Sequence, residues 1–123
     1  MEAVAQALIE VSRLMGEYVA AVVEVSVALD RWEGACAMRG EVEKKVWSAA
    51  WDEMTFDERL VMMGIARVVA DEVTASGDQV TVAKAKRDAL KSAVEAQRSV
   101  VLQLLEMAAA SEEAEEENEV GDE

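Results

Sequence analysis

Apolar residues recur in steps of four and three over residues 4–36: Val4, Leu8, Val11, Met15, Tyr18, Val22, Val25, Leu29, Trp32 and Cys36. This 3.5-residue period is the seam of a helix that lies along another helix. Ala7, Leu14, Ala21, Ala28 and Ala35 run beside the seam on one side, and Ala5, Ser12, Val19 and Ser26 on the other. One stripe stays charged: Glu10, Glu17 and Glu24, then Arg31. An apolar arc this broad exceeds what a helix needs to cover one core face. It suits either the central helix of a monomeric bundle or a helix that packs inward on one side and on a second protein with the other. Residues 22–27 also alternate like a strand, but the heptads on both sides favour helix.

The same patterning predicts three further helices. Gly34 and Gly40 weaken the first helix, and a break is expected near Gly40, because an interior glycine costs about 1 kcal/mol relative to alanine. A short second helix is expected over 41–54, with Val42, Val46 and Ala49 on one face and Trp47, Trp51 and Met54 on another. The two tryptophans fit core packing better than an exposed anchor for a partner, since both are costly to leave in water. Thr55-Phe56-Asp57-Glu58 is a capping-box start for a third helix, which Ser76-Gly77 would end. The fourth runs to about Ala110 on Val80, Ala83, Leu90, Val94, Val101, Leu104 and Ala108. A β-hairpin over 73–82 is the competing reading of the Ser76-Gly77 region. Lys84, Lys91 and Arg98 repeat every seven residues, the spacing of the glutamate stripe, which predicts that the first and fourth helices lie side by side. The predicted fold is all-α: an antiparallel bundle of about four helices, two long and two shorter, over residues 1–110.

Composition agrees with a bundle. The 123 residues contain no proline, and aromatics make up 4%. So few aromatics make a shallow core, which burial shared between subunits would deepen. The net charge is −14, and eight of the acids fall in residues 111–123, which hold no base. That stretch has little apolar to bury and its charges repel, so it is expected to be a disordered acidic tail. The balance disfavours direct contact with nucleic acid or an anionic membrane and permits a basic protein partner. Glu2 stands where a signal peptide would be basic, and no apolar run approaches a membrane span, which points to the cytoplasm.

Chemistry is scarce. Histidine is absent, which removes the common nucleophile–base pairs and the Glu-x-x-His ligands of diiron bundles. Cys36 is the single cysteine, so no intramolecular disulfide and no cysteine-rich zinc site can form, and its place on the seam suits a small buried hydrophobe. Asp52, Glu53, Asp57 and Glu58 cluster near the second and third helices, but without the spacing of a calcium loop. No metal, cofactor or catalytic residue is expected.

Trp32-Glu33-Gly34 after a long helix resembles the W-x-G turn of the small secreted WXG-type helical hairpins. The chain departs from that family in length and lacks its C-terminal Tyr-x-x-x-Asp/Glu signal. The reading that the residues carry furthest is a non-catalytic, acidic interaction or assembly protein. It self-associates, most simply as a dimer, through Val4, Leu8, Val11, Met15, Tyr18, Ala21, Val22, Val25, Leu29 and Trp32, with Trp47 and Trp51 as further partner contacts. The alternatives are an acidic inhibitor, of viral kind for example, that occupies a basic nucleic-acid-binding site, a secreted WXG-type protein, and an enzyme that uses carboxylates alone.

Overall fold

A computed structural model describes residues 2–121, and side chains as far as Glu116. Three helices make up the fold: α1 (Glu2–Val46), α2 (Ala49–Glu53) and α3 (Phe56–Gly121). Among the described residues there is no strand, so both β alternatives are replaced by helix. The fold is all-α, but it has three helices, not four.

Three expected boundaries move. α1 passes through Gly34 and Gly40 without a break. With no proline in the chain, a glycine only weakens a helix, and packing along its length offsets that cost. α1 stops instead at Trp47-Ser48, where the Ser48 hydroxyl donates to the Lys45 carbonyl at 2.8 Å. Lys44 and Lys45 sit in that last turn, where positive charge is favourable. The expected second helix therefore shrinks to one turn, α2. At the third boundary the helix continues straight through Ser76-Gly77. Gly77 is not a cap there: a Cβ at this position would lie 3.3 Å from Trp32 Nε1. The glycine makes room for the indole ring. Ser76 is fully buried and its hydroxyl donates to the Glu72 carbonyl at 2.6 Å, which satisfies it inside the helix.

The start of α3 matches its sequence signal. The Glu58 N–H donates to Thr55 Oγ1 at 3.2 Å, and the Thr55 hydroxyl donates to the Glu58 carboxylate at 3.1 Å. Arg59 ties the preceding turn to this one. Its guanidinium donates to the Trp51 and Asp52 carbonyls and lies 5.4 Å from the centre of the Trp51 ring. These carbonyls lie at the end of α2, where the Trp51 carbonyl also accepts from the Met54 N–H at 3.2 Å. α3 continues as helix through the acidic stretch as far as Gly121, and Ser111–Glu116 are exposed. The last two residues of the expected tail, Asp122 and Glu123, lie outside the described residues.

The contacts divide the chain into two compact units. One joins Met1–Ala20 with Arg87–Glu123, and its buried side chains are Val4, Ala7 and Val101. The other is Ala21–Lys86, with Ala21, Val25, Ala35, Val69, Ser76 and Val80 buried. In this second unit Arg31 meets Glu72 and Gln79, and Glu24 meets Lys86, so the two helices run in opposite directions along each other.

Candidate functional site

The packed side of α1 is not the predicted seam. Half of that seam is kept: Val4 and Val25 are buried, and Val11 and Tyr18 are half-buried. The other half is replaced by the small-residue row beside it. Ala7, Ala21 and Ala35 are buried, Ala21 to 1% exposure, and Leu14 and Ala28 are half-buried. The reason is spatial. Both rows carry the same period, and the alanine row lets a neighbouring helix approach closely, while the bulkier row would hold it off.

The rest of the seam is less well covered: Leu8 is 51% exposed and Met15 and Val22 are exposed, Trp32 is 37% exposed with its ring against Gly77, and Leu29 and Cys36 are half-buried. Ile9, Val19, Val23 and Val27 add to the exposed apolar surface of α1. The predicted self-association residues thus separate into a buried or half-buried set, with Val4, Val11, Tyr18, Ala21, Val25 and Leu29, an exposed set, with Leu8, Met15 and Val22, and Trp32, which is partly exposed and packs against Gly77. Trp47 is 87% exposed, which reverses the expectation that it is core. Trp51 is half-buried under Arg59, and Trp47 and Trp51 line an open groove with Val46, Ser48 and Asp52. The W-x-G tripeptide lies inside α1, where the chain makes no turn.

Charge pairing follows the glutamate stripe but not the predicted partners. Glu10 and Glu17 pair with Arg13 on their own helix, the latter at 2.7 Å. Glu24 accepts from Lys86 at 3.2 Å, not from Lys84, and Arg31 donates to Glu72 at 2.6 Å and to Gln79 at 2.8 Å. Lys84 lies one heptad from Gly77, on the row that meets Trp32, so it is on the other flank of α3 from these bridges. Among the described residues no ion pair joins the glutamate stripe to Lys84, Lys91 or Arg98. Hydrogen bonding to Arg31 holds the Glu72 carboxyl below its ordinary value of 4.5. Such exposed bridges set register more than stability.

The bridges border two grooves in the Ala21–Lys86 unit. The larger, of about 660 Å³, has Val23, Val27 and Val82 on its apolar walls, with Glu24, Arg31 and Lys86 around them. The second, of about 430 Å³, is lined by Met38, Val68 and Ala75 among others. Their lining repeats with a seven-residue offset: Ala28 and Ala35, Arg31 and Met38, Gln79 and Glu72, Asp78 and Asp71. The two grooves therefore lie on one side of the helix pair. The α3 row Val68, Ala75 and Val82 was not singled out by the sequence reading. Its seven-residue spacing becomes visible once 73–82 is read as continuous helix.

Among the described residues no three acidic or cysteine side chains come together as a group able to hold a metal ion, the Asp52–Glu58 cluster included. No described helix is long and apolar enough to cross a membrane. No known protein family matches the chain, and no curated protein or solved structure does.

Proposed function

We propose that this chain is a non-catalytic interaction or assembly protein whose helices associate with further copies of themselves, α1 contributing its exposed apolar row. The observation that supports this is exposed apolar surface: Leu8, Met15, Val19 and Val22 on α1, and Val68, Val82 and Leu102 on α3, are each at least 40% exposed, and apolar surface of this kind favours association. A symmetric complex of two copies is the simplest closed form, and it would complete an antiparallel bundle of four long helices from two chains.

Light scattering over a concentration series tests the reading. A mass above that of one chain, lowered by Leu8→Asp or Met15→Asp without loss of helix signal, is the expected result. A monomer mass at high micromolar concentration refutes self-association. A second reading, a basic protein as partner, is favoured by one observation: Trp47 stands almost fully exposed close in sequence to Asp52, Glu53 and Asp57. Trp→Ala at this position would then weaken capture of the basic partner and leave the oligomer mass unchanged.

A further inference from the structure

Val23, Val27 and Val82 form apolar walls of the larger groove in the Ala21–Lys86 unit, and Met38 and Val68 those of the smaller; all five are more than half exposed. Because the linings repeat at seven residues, the grooves are successive heptads of one furrow between two antiparallel helices, about 10 Å apart along it. Charge in this furrow is one-sided. Glu24, Arg31, Asp78 and Lys86 line the larger groove, and Asp71 and Glu72 the smaller. Glu24 pairs with Lys86 and Glu72 with Arg31. Asp71 and Asp78 are left over: both are exposed, and neither joins an ion pair among the described residues. Two carboxylates one heptad apart therefore stand over apolar walls.

We infer that this furrow seats a helix of a basic partner protein, which lays apolar residues against the valines and sets two Lys or Arg side chains, seven residues apart, on Asp71 and Asp78. The repeat gives the shape of the occupant. A helix in a groove anchors at i and i+7 of one face, and the furrow offers both apolar seats and carboxylates at that spacing. Its unpaired charge gives the sign. A helix with acidic groups at those positions would face Asp71 and Asp78, on a chain whose net charge is −14, whereas a basic one is attracted to both. The inference rests on the second reading above, a basic partner, and gives that partner a seat away from Trp47. Leu8, Met15 and Val22, the α1 row proposed for self-association, line neither groove.

The probe is a synthetic, fluorescently labelled helical peptide about three heptads long, with leucine at two positions and lysine at one flanking position of every heptad. Fluorescence anisotropy should rise to saturation as wild-type protein is added, and a peptide with glutamate in place of lysine should not bind. Asp71→Asn combined with Asp78→Asn should weaken binding roughly two- to thirtyfold, the range for two surface ion pairs. Val82→Ser should weaken it too, with the helix signal unchanged, because this side chain is exposed. Glu112→Gln combined with Glu113→Gln removes the same charge from the acidic stretch and should leave binding within about twofold. Equal weakening by these two glutamine substitutions and by the asparagine pair would mean unspecific attraction to an acidic chain, and overturns the inference. Weakening by Trp47→Ala with none by the asparagine pair overturns the furrow as the seat and leaves the basic-partner reading standing. A probe that wild-type protein does not bind at high micromolar concentration overturns both.

Discussion

Replacing glycines inside the long helices tests whether α1 and α3 are as continuous as they look. Gly16, Gly34, Gly40 and Gly64 are all helical, have no positive φ, and have nothing within 4 Å of where a Cβ would sit. Alanine at each should therefore bring its helix propensity without a clash. The gain is about 0.5–1 kcal/mol per site, part of it from the smaller freedom of the unfolded chain. For the pair Gly34→Ala and Gly40→Ala the sum is about 1–2 kcal/mol if the sites act independently. On a chain of this size that is a rise in Tm of several degrees, on the order of 3–10 °C. Gly77→Ala is the contrast. Its Cβ would lie 3.3 Å from Trp32 Nε1, so the indole must shift, and the gain should shrink or reverse. Urea and thermal melts followed by circular dichroism, at fixed protein concentration, give all five values. Destabilisation by Gly40→Ala would refute the continuous α1 and return the break to Gly40. Equal gains at Gly77 and Gly40 would refute the Trp32 contact.

Ala21→Glu should abolish the fold, since it puts an unpaired charge at the most buried alanine of α1, whereas Leu8→Asp should leave stability within about 0.5 kcal/mol in the monomer; helix signal at 25 °C separates the two. The Glu72 carboxyl is held below 4.5 in the folded chain, so its contribution to stability is present above that pH and is lost as pH falls through the lower folded value. Melts below pH 4.5 should thus fall more steeply for wild type than for Glu72→Gln, and parallel curves would discard the Arg31 bridge as a stabilising contact. Deleting 111–123 removes eight acids and little burial, since Ser111–Glu116 are exposed. The melts of the two proteins should nearly coincide; a large loss would mean that the acidic stretch packs on the body.

The period of the helices was legible from sequence, and the phase was not. Val4, Val11, Tyr18 and Val25 belong to both candidate seams of α1, so any reading of hydrophobicity finds them. Choosing between Leu8, Met15 and Val22 on one side and Ala7, Leu14 and Ala21 on the other depends on how closely a second helix can approach, which a count of apolar residues does not contain. Ser76-Gly77 misled for a related reason. As a dipeptide it signals a helix end, but the glycine answers to Trp32, a residue 45 positions away in the chain. The capping box at Thr55 was legible because its hydrogen bonds are local. Trp47 was misplaced because its neighbour Trp51 is covered by Arg59, a residue from the next helix, and nothing covers Trp47.

The Arg59 latch has a consequence for the order in which the chain folds. Its bonds to Trp51 and Asp52 span eight and seven residues. Arg31–Glu72 spans 41, Arg31–Gln79 spans 48, and Glu24–Lys86 spans 62. Closing the first of these long loops from a disordered chain costs about 1.4 kcal/mol more entropy than closing the latch, by the logarithmic dependence on loop length. With the latch closed, the Arg31–Glu72 bridge still closes 20 residues on one side and 13 on the other, and Arg31–Gln79 and then Glu24–Lys86 add seven and fourteen more. The second unit should therefore close like a zipper from residues 51–59, with that corner structured in the folding transition state and the Glu24–Lys86 end joining last.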